Sequence, residues 1–215
     1  MRKEQLIDLA IIQLNGGIPI ADGKAKYHPE EVEKWLEVAF DEYIAKVCAL
    51  GMQVGDLSGL DSFTKPYENI PVVFDANREE YYAVLPIPTL QLPQLLAIRQ
   101  VSPMKAPTRN FRYTQYSQQA VMGNLDVGQI GTEMKYYVEN SVDGENDRIR
   151  FWQGFDPQYT SILVRMVVPF QYLNNKSEIA IPANKAMEII GLVSKLMGDR
   201  KGVPPDTIND NFPTN

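Results

Sequence analysis

The sequence predicts an α+β fold, and three patterns indicate this class. Across residues 29–50, apolar side chains recur at every third or fourth position, as on one buried face of a helix. Across residues 70–168, short runs of β-branched and aromatic residues alternate with polar loops, which favours mainly antiparallel strands. Helical spacing returns across residues 183–197. We therefore expect an N-terminal helical hairpin, a central β region with extended arms, a C-terminal helix and an extended tail.

The composition is that of a globular protein with a sizeable core. The chain has 215 residues, 44% of them hydrophobic, and no apolar run approaches the roughly 20 residues that cross a membrane. The first residues lead into a helical pattern instead of a signal-peptide core, so we expect a protein made in the cytoplasm. The single cysteine, Cys48, lies at the edge of the apolar stripe, where we expect a buried thiol.

Two helices are predicted near the N-terminus. The first covers residues 3–14 and stops before Gly16 and Gly17. The second covers residues 29–50, begins at Pro29, which has no N–H to leave unpaired, and stops at Gly51. Because their connection is short, the two helices are expected to pack as neighbours. Residues 51–66 are interpreted as a linker or an exposed loop, which closes an N-terminal region of residues 1–66.

The central region, residues 67–182, is predicted to hold two hairpins and a central strand. Residues 70–74 and 81–85 form the first hairpin, and residues 134–138 and 148–153 form the second. The second hairpin's tip, residues 143–147, has alternating carboxylates but lacks the glycine of a calcium loop, so we expect a solvated turn. Residues 161–168 are apolar on both faces except for Arg165, as in a central strand.

Prolines between Pro86 and Pro107 interrupt the region that follows the first hairpin. Proline removes a ladder donor, so we expect extended arm or edge segments there, with a short strand at residues 97–101. This apolar arm is a candidate contact with another subunit, and the alternative is a loop packed on its own core. Residues 183–200 hold the C-terminal helix, which is expected to pack on the core and to stop at Gly198, and residues 201–215 form the tail.

Charge is unevenly distributed along the chain. The net charge is −6, and residues 1–80 contain 8 basic and 15 acidic side chains. Residues 81–125 contain no acidic side chain and four basic ones, which are Arg99, Lys105, Arg109 and Arg112. One surface of the protein is therefore expected to differ in sign from the others.

Two other classes of function remain open. Residues 109–116 alternate basic and aromatic side chains, which could neutralise phosphates and stack bases, so a nucleic-acid-binding module using residues 99–116 is one alternative. A half-exposed strand has the same pattern. A small cytosolic enzyme is the other alternative, although the sequence contains no nucleophile elbow, metal triad or phosphate loop. The only histidine, His28, lies at a helix start.

Several short motifs occur in a characteristic order. A strand ends in Leu85-Pro86, Val101-Ser102-Pro103 follows, and a helix that starts after Ile181-Pro182 precedes Pro204-Pro205-Asp206 and Asn209-Asp210. In these elements, which cover chiefly residues 69–103 and 148–211, the chain resembles ring structural proteins of crAss-like and related short-tailed Bacteroidetes phages. Those proteins form rings between the portal and the tail.

The resemblance implies a virion structural protein, a ring or adaptor subunit of the head-to-tail connector, made in the cytoplasm of the bacterial host. It implies a dodecameric ring of the chain itself, contacts with the portal protein and with neighbouring tail or ring proteins, and non-specific proximity to packaged DNA. Catalysis, a cofactor, a bound metal and a membrane are not expected. The basic block and the tail supply the candidate subunit-interface residues: Arg99, Lys105, Arg109, Arg112, Pro204, Pro205, Asp206, Asn209 and Asp210.

Overall fold

The computed structural model describes residues 1–16, 27–115, 134–140, 146–153, 155–174 and 183–201, and within them the α+β class is confirmed. In chain order the elements are α1 (Lys3–Leu14), α2 (Pro29–Val54), α3 (Ser58–Asp61), β1 (Thr64–Pro71), β2 (Val73–Asp75), β3 (Glu80–Val84), β4 (Ile98–Pro103), β5 (Arg112–Tyr113), β6 (Lys135–Glu139), β7 (Arg148–Gln153), β8 (Ser161–Val167) and α4 (Ala183–Lys201). A short 3₁₀ turn lies at Phe170–Tyr172, and a turn with left-handed backbone at Gln94 and Leu95 lies at Pro93–Leu95.

The chain divides into two compact units. The helical unit comprises Met1–Leu50 and Pro169–Asn215, and the β unit comprises Gly51–Val168. Both divisions come earlier in the chain than the expected boundaries at residues 66 and 182. The reason is that Asp61 pairs with Arg99 of β4, whereas Phe170 packs against Phe40 of α2.

The helical unit is built on the apolar stripe of α2. Buried side chains come from this stripe, from α1, from α4 and from the turn at Phe170–Tyr172: Leu6, Ala10, Val32, Leu36, Phe40, Ile44, Cys48, Phe170, Ile189, Ile190 and Val193. Burial of the Cys48 thiol is thereby confirmed. α1 packs against α4, and Lys3 Nζ connects α1 to α2 through Glu33 Oε1 at 2.6 Å. The C-terminal helix therefore completes the packing of the two N-terminal helices.

α2 continues through the predicted stop at Gly51 to Val54. Gly55 has the left-handed backbone of a helix terminus, with φ 76°, and the Asp56 N–H donates to the Gly51 carbonyl oxygen over 3.0 Å. This bond closes a Schellman motif. A Cβ at Gly51 would lie 2.6 Å from the Asp56 carbonyl oxygen, so Gly51 allows the chain to fold back closely. α4 likewise continues past the predicted stop at Gly198, to Lys201.

Alanine substitutions at three glycines should show which of them are required by the backbone geometry at the end of α2 and which only lower helix propensity. Gly191→Ala, inside α4 with nothing within 4 Å of the added Cβ, should raise the free energy of unfolding by about 0.5–1 kcal/mol. Gly51→Ala should lower it by about 1–2 kcal/mol, because the clash is with backbone. Gly55→Ala should lower it by roughly 1 kcal/mol, because its φ is left-handed. Urea unfolding measures all three, and equal effects of Gly51→Ala and Gly191→Ala would contradict the Schellman packing.

Three strands of the β unit form an antiparallel sheet in the order β1–β8–β4. The predicted central strand is confirmed as β8, in which Ile162, Val164 and Met166 are buried and Arg165 is exposed. α3 and β1 occupy residues that we interpreted as a linker, so that prediction is wrong. The pattern misses β1 because it is an edge strand with mostly exposed side chains, interrupted by Pro66 and by a bulge that places Asn69 at φ 57°.

Five strands form the second sheet in the order β2–β3–β7–β6–β5. The second predicted hairpin is confirmed, since β6 pairs antiparallel with β7. The first is confirmed only from residue 73, where β2 pairs antiparallel with β3, because residues 70 and 71 end β1 and pair with β8. β3 and β7 join the two hairpins, and β5 pairs parallel with β6. Aromatic side chains cover one face of this sheet, where the ring centroids of Phe111, Phe151 and Phe155 lie 4.6–6.0 Å apart. This aromatic cluster is part of the core of the β unit.

The proline-rich segment between β3 and β4 packs into the fold. Leu85, Ile87 and Leu92 are buried, so of the two interpretations of this arm, the structure favours the loop packed on its own core. The Thr89 N–H donates to Asp147 Oδ2 over 2.8 Å, and the Thr89 hydroxyl donates to the same oxygen. Asp147 is 6% exposed. The prediction of a solvated turn at residues 143–147 is therefore wrong at Asp147, and residues 141–145 lie outside the described residues.

Candidate functional site

Charged side chains converge on the face of the five-stranded sheet opposite the aromatic cluster. Alternation along each strand places every second side chain on this face. The register sets Tyr82 of β3, Arg150 of β7 and Tyr137 of β6 side by side. Together with their neighbours on β2, β3, β6 and the turn between β2 and β3, they form what we call the Arg150 network: Asp75, Arg78, Glu80, Tyr82, Tyr137, Glu139 and Arg150.

Arg150 lies at the centre of this network and is only 2% exposed. Its Nε donates to Glu139 Oε2 over 2.6 Å, and its Nη1 donates to Asp75 Oδ2 over 3.1 Å. Glu80 Oε2 lies 4.0 Å from the same Nη1 and accepts from the Tyr137 hydroxyl over 2.7 Å. The guanidinium carbon is 5.4 Å from the centroid of the Tyr82 ring, which covers the cation. A single buried cation therefore joins four strands.

The network changes the acidity of its members. The hydrogen bond from Arg150 lowers the pKa of Asp75. Burial acts to raise the pKa of Glu139, but hydrogen bonds from Arg150 and Arg78 outweigh it and hold that pKa below its ordinary value. Burial and the hydrogen bond to Glu80 raise the pKa of Tyr137. At neutral pH Asp75 and Glu139 are therefore ionised and the Tyr137 phenol is neutral, as the hydrogen bonds of these three side chains require.

This arrangement is suited to holding strands together. Bonds from a guanidinium to carboxylates are short, directional and charge-assisted, so they fix the positions of both partners. The carboxylates of Asp75 and Glu139 accept from arginines, and that of Glu80 accepts from Tyr137. We therefore assign the Arg150 network a structural role. Sequence reasoning missed it, because its charged members look like the ordinary solvent-facing side chains of two hairpins.

The structure divides the acid-free basic block into two parts. Arg99, on β4, is used inside the β unit, because its Nε donates to Asp61 Oδ1 over 3.0 Å. Lys105 and Arg109 lie on the connection between β4 and β5, and Arg112 lies on β5; all three are exposed. Arg99 is therefore a weaker candidate for a subunit contact than the other three.

The aromatic side chains of Phe111 and Tyr113, beside this block, pack against other rings of the β unit. Phe111 is 5% exposed and belongs to the aromatic cluster, with its centroid 5.0 Å from that of Phe151. Tyr113 packs against Tyr136 at 5.8 Å. Of the two interpretations of residues 109–116, these contacts favour the half-exposed strand, since a buried ring cannot stack on a base.

The tail candidates lie outside the described residues. These are Pro204, Pro205, Asp206, Asn209 and Asp210, and residues 116–133, with the glycine-rich segment, lie outside them as well. Their part in a contact stays a prediction from the sequence.

Sequence reasoning also missed a polar group in the helical unit. Asp41 lies on α2, and its Oδ1 is buried without a hydrogen-bond partner among the described residues. Burial raises the pKa of Asp41 to about 6, opposed by a hydrogen bond from the Phe170 N–H and assisted by the negative charge of Glu37. The sequence could not separate Asp41 from the exposed acids of the same helix, because its burial depends on the distant Phe170 turn.

Asp41 should make the protein less stable as the pH rises. The folded pKa of about 6 exceeds the ordinary value of 3.8, so the stabilisation by proton binding is complete below pH 3.8 and is lost as the pH rises through about 6. The full shift corresponds to roughly 3 kcal/mol, and solvent screening of a partly exposed side chain reduces the expected change to about 1–2 kcal/mol. Urea unfolding between about pH 3.5 and pH 7.5 measures this loss.

The matched comparison is Asp41→Asn against Glu42→Gln, its exposed neighbour on α2. The pH-dependent loss should disappear in Asp41→Asn and persist in Glu42→Gln. An Asp41→Asn variant with the slope of the wild type would contradict the assignment.

Within the described ranges, no group of three or more His, Cys, Asp and Glu side chains could hold a metal ion. No helix in the described part of the chain is long and apolar enough to cross a membrane. No protein-family model matches the chain, and no curated protein matches it either.

Proposed function

We propose that this chain is a virion structural protein, a ring or adaptor subunit of a phage head-to-tail connector between portal and tail. Its partners are copies of itself, the portal protein and neighbouring tail or ring proteins, and its role is not catalytic. The proposal starts from the resemblance in the order of Leu85-Pro86, Val101-Ser102-Pro103 and the C-terminal motifs.

The observation that carries the proposal is the presence of exposed surfaces of opposite charge on one chain. The outer side of α2 is acidic on balance, because Glu30, Glu31, Glu33, Glu37 and Glu42 outnumber the exposed Lys34 and Lys46. The connection between β4 and β5 exposes Lys105 and Arg109 within an acid-free stretch. A ring subunit contacts its neighbours through two different patches, which must complement each other. Opposite charges supply such complementarity and set the register of the contact.

A second observation, the way in which Arg150 fixes the strands of the β unit, supports a structural role. The buried Arg150 joins β2, β3, β6 and β7 through side chains, in addition to the backbone ladders. A subunit clamped between a portal and a tail needs strands that keep their register, and a buried cation with several carboxylate partners penalises any slip. The β unit is thus suited to a fixed place in an assembly.

The test is the mass of the purified chain, alone and after mixing with candidate portal rings, by light scattering and negative-stain imaging. A closed ring, formed alone or on the portal, is the expected result. A chain that stays monomeric in both conditions would contradict the proposal. The assay should be repeated at two salt concentrations, because contacts between exposed charges weaken as the ionic strength rises.

A nucleic-acid-binding module is the second candidate, favoured by the exposure of Lys105, Arg109 and Arg112. Binding through phosphates would weaken steeply with salt, with a slope of about one per neutralised phosphate in a plot of log affinity against log salt. Duplex DNA bound with such a slope by a chain that forms no ring would support this candidate against the connector.

A further inference from the structure

Two exposed basic side chains lie on the connection between β4 and β5. Lys105 and Arg109 are exposed, and neither has an ion pair or side-chain hydrogen bond within the described residues. Arg99 differs, because Asp61 already neutralises it. We call Lys105 and Arg109 the basic pair.

The connection that carries the basic pair is ordered by its own hydrogen bonds. The Met104 N–H donates to the Ser161 carbonyl oxygen over 3.1 Å, which ties the start of the connection to β8. The Ala106 and Arg109 N–H groups close successive turns over 3.0 and 2.9 Å. Gln100 Nε2 donates to the Pro107 carbonyl oxygen over 3.0 Å. A partner would therefore meet two charges on a prearranged backbone, which lowers the entropy that binding costs.

The chain itself contains a segment of complementary charge. Residues 202–215 follow α4 and carry Asp206 and Asp210 but no lysine or arginine. Asp206 and Asp210 lie five and nine residues beyond Lys201, the last residue of α4, so they can reach at most about 17 and 31 Å from the end of that helix. Proline at positions 204 and 205 limits the backbone freedom that such a segment loses on docking.

We propose that residues 202–215 of one copy dock on the basic pair of a second copy, with Asp206 and Asp210 facing Lys105 and Arg109. This inference rests on the proposed function, because it needs copies placed side by side in a ring. It gives the ring a directional contact, since the donor segment and the acceptor connection are different parts of the chain.

Charge exchange in the full-length chain tests the docking. Lys105→Glu/Arg109→Glu and, separately, Asp206→Lys/Asp210→Lys should each raise the concentration needed for half-assembly by roughly tenfold or more, because like charges then meet. The chain with all four substitutions, and an equal mixture of the two double variants, should both assemble again. Arg165→Glu/Lys195→Glu is the control, since it makes the same charge change at exposed positions of β8 and α4 and should leave assembly unchanged. Thermal unfolding of each variant verifies that it folds.

Zero-length cross-linking locates the contact. A carbodiimide joins a carboxylate to a lysine amine, so assembled wild-type chains should yield a peptide that links Lys105 to Asp206 or Asp210. Mixing light and heavy isotope-labelled chains should give cross-links of mixed mass, which proves that the contact is between copies. Lys105→Arg keeps the charge and should keep assembly while removing the cross-link.

The outcomes separate the docking from the proposed function. Rings that form equally well with Lys105→Glu/Arg109→Glu, or cross-links of unmixed mass, would overturn the docking and leave the connector proposal standing. Loss of DNA retention by that variant without any loss of assembly would assign the basic pair to nucleic acid and overturn the docking as well. A wild-type chain that forms no ring, alone or with the portal, would overturn both.

Discussion

Replacing Arg150 by methionine should lower the free energy of unfolding by about 3 kcal/mol. The substitution keeps the bulk of the side chain but leaves Asp75, Glu80 and Glu139 close together without the cation that they surround. Lysine should recover only part of the loss, because one ammonium cannot reproduce two fixed guanidinium bonds. Arg165→Met, an exposed arginine of β8, is the control and should change stability by less than about 0.5 kcal/mol.

The two tryptophans allow this effect to be observed in the β unit. Trp152 lies on β7, whereas Trp35 lies on α2, so urea unfolding in a Trp35→Phe background follows the strand that carries Arg150. Adding Glu139→Gln in the Arg150→Met background should recover stability, because it removes one of the crowded negative charges. A loss as small as that of Arg165→Met would contradict the central role of Arg150.

The effect of Arg150→Met should also depend on pH. Because Asp75 and Glu139 have lowered pKa values in the folded state, their contribution is present above the ordinary carboxylate range and is lost as the pH falls through the folded values. In the variant, protonation relieves the repulsion instead. The difference between variant and wild type should therefore shrink below about pH 4.

Replacing Phe170 by alanine should destabilise the helical unit by about 3–5 kcal/mol. Phe170 is 0% exposed, its ring lies 5.4 Å from that of Phe40, and Lys3 Nζ lies 4.8 Å above it. The change removes a large buried ring, leaves a cavity and takes away the aromatic surface under a buried ammonium group.

Tyr172→Ala is the matched control, because Tyr172 lies in the same turn and is 43% exposed. It should cost less than about 1 kcal/mol. Trp35 fluorescence in a Trp152→Phe background reports the helical unit during urea unfolding. Equal losses for the two substitutions would show that the turn's backbone, and not the ring of Phe170, matters.

Patterns of near neighbours predicted much of the fold. The apolar spacing along α2, the second hairpin and the central β8 depend on residues close in sequence and are confirmed, and the first hairpin is confirmed from residue 73 onwards. Helix ends were less predictable. The sequence pattern selected Gly51 as the end of α2, but the left-handed residue at that end is Gly55, and Gly51 is needed because the Asp56 backbone passes close to it. The edge strand β1 was missed, because an exposed strand has no apolar alternation to read.

The candidate interface was only partly predictable. The sequence identifies the acid-free block from composition alone, but all four basic residues look equivalent there. Their difference depends on Asp61, 38 positions before Arg99, which neutralises one of them and leaves Lys105 and Arg109 exposed. The burial of Phe111, which weakens the nucleic-acid alternative, likewise depends on Phe151 and Phe155 across the sheet.

The sequence by itself determined the α+β class, the stripe of α2, the hairpins and the uneven charge, because each arises from periodicity or composition within a short window. Only the tertiary structure decided which charges are used inside the fold. Arg150 finds Asp75 at a separation of 75 positions, and Asp41 meets the Phe170 N–H of a distant turn. The free energy of a buried charged group depends on the polar groups around it, and those groups come together only when distant segments of the chain have packed.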